Sequence, residues 1–496
     1  MSTARAASAA GPARPPTGGA TGGATGGASG YAAAVRALEA RGRFGIRLGL
    51  GRTRALLREL GDPQLAFRGA LVAGTNGKGS VLALAGSALR AAGIRAGETP
   101  KPHLVTYRER LAIDGQPVDP GTFTRLVNEV LPASDRVARR LGEPTEFELL
   151  TAIVFLWFAE QGVRVALVEV GLGGRLDATH AWDGGVAVVT NVTLDHMDRL
   201  GPTVAAIARE KAAIIERGDV AVTGTDGDAL DVVRRRARRM AVPLREVDAA
   251  PLRGWDRDGI EVELPGLGRT RVGLRGRHQA ANVAVADAVL DALAEAGIAR
   301  VDDDARRRGY AAARWPGRLE LLEVDGRDVL LDGAHNAAGA AALAVALDDL
   351  RPFLAGGAGA DRLPPEGARP TEDGRPTTDA PPLTLVVASM ADKDVDAVIR
   401  SLATSGALGG AHVIATSLDL PRAMPADELA ARWRRHGRVA GIAAVRSIPH
   451  ASAALDRAVA KAPGPVVVAG SLYLVGVARS RFVDDPRLRD PEDDAA

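Results

Sequence analysis

The sequence predicts an α/β protein with mainly parallel sheets, and three observations predict it. Short runs such as VALVEVG and VAVVTNV stay apolar over a strand length, the pattern of parallel strands covered on both faces. Stretches of helical spacing separate these runs, so strand and helix signals alternate along the chain. At 496 residues the chain is too long for one hydrophobic core, so two such units are expected, with a ligand cleft between them.

The elements follow in order. Residues 1–30 end in GGATGGATGGASG, which cannot bury enough apolar surface to offset the entropy of ordering, so disorder is expected there. ALVA, Ala70–Ala73, reads as a strand, and SVLALAGSALRAAG as the helix after it, with a stop at Gly93. TEFELLTAIVFLWFAEQG opens with a capping box, Thr145 to Glu148, and continues as a strongly apolar helix. The strands VALVEVG and VAVVTNV follow, and HQAANVAVADAVLDALAEAG is a further helix. A boundary is expected near Arg314–Pro316, dividing a first α/β unit, 31–314, from a smaller Rossmann-like α/β unit, 315–490. In the second unit GRLELLEV, DVLLDG, LTLVVAS, HVIATS and PVVVAGS read as strands, with a helix over Ala338 to Leu350. The Pro- and Gly-rich stretch 355–382 interrupts this series and reads as a disordered surface insertion.

Composition narrows the function. The net charge is +2, which offers no general electrostatic argument for nucleic acid or an anionic membrane. The basic run Arg234–Arg239 reads as a solvated helix face. There is no cysteine, so disulfides and thiolate metal sites are excluded. No segment approaches the roughly 18 uncharged apolar residues of a membrane span. The first thirty residues lack the apolar core of a signal peptide, so a cytoplasmic protein is expected.

Chemistry concentrates at strand ends. LVAGTNGKGS, Leu71–Ser80, follows a strand and opens a helix, the setting in which backbone N–H groups cradle phosphate. It departs from the usual G-x-x-x-x-G-K-[ST] loop, because Val72 replaces the first glycine and Gly79 separates Lys78 from Ser80. Lys78 is placed to contact phosphate oxygens, and the Ser80 hydroxyl to ligate Mg²⁺. Glu169 ends an apolar strand, where a carboxylate costs several kcal/mol unless it is paired or metal-bound. Either Arg175 neutralises it or it serves a ligand. Asp195 and His196 follow a third strand, so a hydroxyl, a carboxylate, an imidazole and phosphate oxygens form a plausible Mg²⁺ shell. Lys211, in IAREKAAII, reads on chemistry alone as a lysine snorkelling to solvent. Arg318, in WPGRLE, either reaches a phosphate or forms a hinge salt bridge. In LLDGAHNAAG, Asp332 and His335 sit on a strand-to-helix turn that can face the cleft, and Asp332 or Asn336 can cap the helix.

GTNGKGS, EVGLGGRLDAT, LDH, REKAAI, HQAAN, WPGRLE, DGAHN, DKD and GSLYLVG occur in this order, and together they resemble the Mur ligase superfamily, specifically folylpolyglutamate synthase and dihydrofolate synthase. The resemblance covers roughly residues 32–480 apart from the insertion. It implies an ATP loop at Thr75, Asn76, Gly77, Lys78, Gly79 and Ser80, with further ATP contacts at Asn282, Arg318 and Asp332. It implies two Mg²⁺ ions, with Ser80, Glu169 and His196 as ligands and Lys211, carbamylated, as another. That overrides the snorkelling reading of Lys211. His335 matches a histidine near the reacting centre. The implied chemistry is ATP-dependent: a folate-type carboxylate becomes an acyl phosphate, and the amine of L-glutamate displaces phosphate. The implied partners are ATP, L-glutamate and dihydropteroate or folates, on a monomer.

Two residues depart from the family pattern. Lys101, in TPKPHL, stands where members commonly show serine, and His180 ends DATH where asparagine is usual. The stretch Arg43–Arg54 is either part of a pterin site or a loop leading into a helix. The rival readings are another Mur-type amino-acid ligase, against which the GSLYLVG and WPGRLE wording argues, and a P-loop nucleotide-binding protein without ligase activity.

Overall fold

A computed structural model of the chain describes residues 29–42, 47–354 and 381–491. The tail and the insertion expected to be disordered lie almost wholly outside the described residues. In the first half, strands Ala96–Thr99, Val165–Glu169, Arg68–Ala73, Gly185–Val189, Val220–Thr223 and Leu244–Glu246 lie side by side in that order, all parallel. Two short antiparallel strands, Ala112–Ile113 and Gln116–Pro117, extend one edge. The sheet is apolar on both faces, as its unbroken hydrophobic runs require, because helices cover each side.

Register explains why the chemistry gathers in one place. Val72 pairs with Glu169 on one side and Val188 on the other, so three strands end together. The loops that leave them carry GTNGKGS, Glu169 and the LDH motif. Carboxyl ends of neighbouring parallel strands are where α/β sheets bind ligands.

The expected capping box is present: the Thr145 side chain accepts from Glu148 N, and the Glu148 carboxylate accepts from Thr145 N at 2.8 Å. The helix it starts, Glu146–Glu160, is buried through most of its length. Beyond the expected elements, helices Tyr31–Gly42, Gly51–Glu59 and Pro120–Leu141 and an antiparallel meander over Leu252–Asp256, Gly259–Leu264 and Gly268–Val272 lie in the first half. The meander strands are short and only partly alternating, so they carry a weak periodic signal.

The second sheet orders Glu320–Val324, Arg327–Leu331, Val466–Ala469, Thr384–Val387, His412–Ser417 and Ala444–His450. Its first pair is an antiparallel hairpin, an exception to the parallel expectation. Asp325 and Gly326 turn it with φ of 51° and 70°, the left-handed pair that a tight Asp-Gly turn needs. The remaining neighbours are parallel. The expected helix runs Ala337–Leu350, and Asn336 is its cap, accepting from Gly339 N at 2.8 Å. The basic run lies on Gly227–Met240, where Arg234 pairs with Glu246 on the exposed face. Among the described residues no helix is long and apolar enough to cross a membrane.

Candidate active site

A cleft of about 650 Å³ opens between the two sheets. Every residue singled out above for ATP, metal or catalysis lines it: the loop from Thr75 to Ser80, Glu169, His196, Lys211, Asn282, Arg318, Asp332 and His335.

The loop is held rigidly from the neighbouring strand end. Thr75 N donates to Asn191 O and Asn76 N to Asn191 Oδ1, both at 2.9 Å. Thr75 Oγ1 accepts from Thr193 N, and Thr190 Oγ1 donates to Asn76 O at 2.7 Å. Gly77 takes φ of 83° at the start of the helix Lys78–Ala91, and no side chain caps that end. The N–H groups of the first turn are therefore free for an anion. A Cβ on Gly77 would stand 2.3 Å from Asn282 Oδ1, and one on Gly79 would stand 2.6 Å from the Trp315 ring. The glycine that breaks the usual loop pattern is thus the seat of the tryptophan in WPGRLE.

Lys78 Nζ donates to the carbonyls of Gly74 and Thr75 at 3.1 Å and lies 3.9 Å from Glu169 Oε1. Arg175, the alternative partner for Glu169, pairs instead with Glu210 at 2.9 Å. Glu169 meets Lys101: the Lys101 N–H donates to Oε2 at 2.9 Å, and the ammonium donates to the Glu169 carbonyl. Burial pushes the Glu169 carboxyl up, and Lys78 and Lys101 oppose that shift. Burial also pulls the Lys101 ammonium down to about 8, with Asp177 and Glu169 opposing.

Lys211 does not snorkel. It is buried, and its Nζ donates to Gly74 O at 2.7 Å. Burial, with Lys78 adding to it, pulls its amine down to about 7. A large neutral fraction at physiological pH makes it nucleophilic. His196, at φ of 49°, is half-exposed at the cleft mouth.

From the second sheet, Asp332 accepts from Leu319 N and Ala334 N, each at 2.9 Å, and so ties its turn to the strand entry beside Arg318. Among the described residues Arg318 has no salt bridge; its Nη1 donates to Gly317 O at 3.1 Å. His335 is held by Nδ1, 2.8 Å from Gly333 O. A carbonyl only accepts, so Nδ1 carries the proton and Nε2 is left as a bare acceptor. Burial outweighs that bond and brings the imidazole down to about 4, so the ring is neutral.

Lys393, in the DKD motif, was not singled out. Its Nζ donates to Asp195 Oδ1 at 3.2 Å, and Asn336 Nδ2 donates to Oδ2 at 3.1 Å and to Asn76 Oδ1 at 3.3 Å. Burial opposes ionisation of Asp195, but Lys393, His196 and Asn336 outweigh it and hold the carboxyl near 2. Arg110, Phe147 and His103 were missed as well: Arg110 and Phe147 line the cleft, and Arg110 Nε donates to His103 Nδ1 at 2.9 Å. His180 lies off the cleft, 3.3 Å from Glu216. Residues 43–46 are outside the described residues. Residues 47–50 lead into the helix Gly51–Glu59, where Glu148 engages Arg52 at 2.9 Å.

Among the described residues no three His, Cys, Asp or Glu side chains form a ready metal cage. The donors present nonetheless suit Mg²⁺, which commonly takes one or two carboxylates, phosphate oxygens and waters. Glu169 is a buried carboxylate whose charged neighbours are cations, and the Ser80 hydroxyl is buried in the same cleft.

Residues 121–290 match the Mur ligase middle domain. The chain is 38% identical to the dihydrofolate synthase/folylpolyglutamate synthase of Bacillus subtilis, over 62% of this chain and 74% of that protein. It is 34% identical to the protein of that name from Mycobacterium tuberculosis, over 88% and 91%. Among solved structures, Mycobacterium tuberculosis folylpolyglutamate synthase complexed with ADP and AMPPCP superposes with a TM-score of 0.77 at 31% identity, covering 92% of this chain and 100% of that one. E. coli FolC in complex with DHPP and ADP superposes at 0.73 and 28%, covering 92% and 99%.

Proposed function

The chain belongs to the folylpolyglutamate synthase and dihydrofolate synthase family of the Mur ligase superfamily, and from that premise we propose that it uses ATP to join L-glutamate to dihydropteroate, to reduced folates, or to both. One observation carries the reading. An uncapped phosphate loop on the first sheet and a neutral histidine with a bare Nε2 on the second line a single cleft. We take the units to be 31–314 and 315–490, a division supported by the two separate sheets.

In this reading the first-turn N–H groups of the helix Lys78–Ala91 and the Lys78 ammonium hold the ATP phosphates. Asn282, Arg318 and Asp332 hold the rest of the nucleotide. A carboxylate oxygen of the acceptor attacks the γ-phosphorus, the bond to the β-phosphate oxygen breaks, and ADP leaves an acyl phosphate. The glutamate amine then attacks the acyl carbon, and phosphate departs from the tetrahedral intermediate. His335 Nε2 is the free acceptor that takes the proton the amine sheds. Ser80, Glu169, His196 and Lys211 as its carbamate would hold Mg²⁺, which when bound offsets phosphate charge. Closing the cleft between the sheets shields the acyl phosphate from water.

The test is ADP release from the purified chain with ATP, L-glutamate and either dihydropteroate or tetrahydrofolate. Turnover should require both glutamate and a pteroate, and comparing the two acceptors assigns the activity. No dependence on any pteroate or folate would overturn the reading.

A further inference from the structure

Lys101 puts an ammonium group where the cleft needs divalent cations. It lines the cleft beside Glu169 and is bonded to that residue twice, once through its N–H to Oε2 at 2.9 Å and once through its ammonium to the carbonyl. The ammonium also stands 5.2 Å from the centre of the Phe147 ring, so a cation–π contact holds it in place. The nearby carboxylate of Asp177 is already engaged: Oδ1 accepts from Thr179 N and Oγ1, and Oδ2 from Leu172 N. The positive charge of Lys101 is therefore directed at the Glu169 end of the cleft. There Lys78 adds a second cation at 3.9 Å. Leaving aside Lys211, read above as a carbamate, six lysines and arginines line the cleft against four carboxylates. A polyphosphate entering this cleft meets much of its counter-charge as side chains, and a divalent ion placed on the Glu169 carboxylate meets the Lys78 ammonium at 3.9 Å, with the Lys101 ammonium behind it on the Glu169 carbonyl.

We propose that Lys101 is a resident cation that takes over the work of one divalent ion, so that this chain binds one nucleotide-dependent metal ion where the family resemblance implies two. The inference rests on the ATP-site reading above. The serine that the family resemblance implies at this position is neutral and leaves room in the charge balance for the second ion. Lysine fills that place without needing metal. Unit charges a few ångströms apart in a partly screened site interact strongly enough to change an ion's affinity roughly tenfold or more.

The test counts bound Mn²⁺ on the full chain, by the loss of the free-ion electron paramagnetic resonance signal, with ADP and bicarbonate present. The wild type should bind one nucleotide-dependent ion. Lys101→Ser should bind two, the second at least about tenfold more tightly than any second ion on the wild type, and Lys101→Arg should stay at one. Two ions of similar affinity on the nucleotide-loaded wild type would overturn the proposal, and that count needs no variant to fold. A Lys101→Ser protein that still binds one would overturn it too. No ADP bound at all would overturn the ATP-site reading and this inference with it, an outcome separate from two ions on a loaded chain.

Discussion

At the residue scale, Lys211 carries the largest change between what its neighbours in sequence suggest and what its surroundings dictate. A buried amine with one carbonyl partner is costly as a cation, and its pull down to about 7 reflects that burial first and Lys78 second. Only the neutral amine can attack carbon dioxide, so the neutral fraction, and with it carbamate formation, grows as pH rises through about 7. Enzyme depleted of bicarbonate should therefore recover activity on adding it, faster at pH 8 than at pH 6, as followed by ADP release. Lys211→Ala should lose roughly a hundredfold or more in kcat, the scale set by removing one charge-stabilising group, with partial rescue by acetate. Wild-type rates in that variant would refute the role. Glu169 and His335 were legible as candidates because each ends or follows a strand. Lys211 was legible only through the family resemblance and not from its own neighbours, because its buried amine meets the Gly74 carbonyl, 137 residues away.

At the scale of elements, the phosphate loop is a strand, a bend and a helix start whose glycines each answer to a different neighbour. Gly77 needs a left-handed φ of 83° and clearance from Asn282, whereas Gly79 needs only clearance from Trp315. Gly79→Ala should cost about 1–3 kcal/mol by overpacking and weaken nucleotide binding. Trp315→Leu should recover most of that loss, which chemical denaturation of the two single variants and the double variant would measure. Additive losses would show that the tryptophan does not set the constraint. The strand–loop–helix order was readable from local pattern and glycine content. The reason for Gly79 was not, since its partner Trp315 stands far along the chain, at the boundary between the two units. The meander escaped because short, half-alternating strands look like loops until their partners are known.

For the whole molecule, contacts join the two units at several places, among them Arg108 with Asp490 at 3.1 Å. Away from the mouth, Arg257 and Asp328 pair at 2.6 Å, and Arg277 pairs with Asp349 while its guanidinium lies over Trp255. At the mouth, Asp195 receives both Asn336 and Lys393. Asp195→Ala should loosen the mouth, leaving the Asn336–Asn76 contact there, so small-angle scattering should report a larger radius of gyration. The melting temperature should move little, because a partly exposed ion pair contributes about 1 kcal/mol or less. Unchanged scattering would mean that the mouth contact does not hold the sheets together. The sequence by itself determined the alternating α/β architecture, the phosphate loop, the identity of most cleft residues and the family, because these lie in local patterns and ordered motifs. Only the tertiary structure decided which charges face one another: Glu169 with Lys101 and Lys78 rather than Arg175, Asp195 with Lys393, and Lys211 inside rather than out. Those pairings depend on strand register and sheet packing between residues far apart in the chain, and electrostatic energy depends on distance and burial, neither of which a local pattern contains.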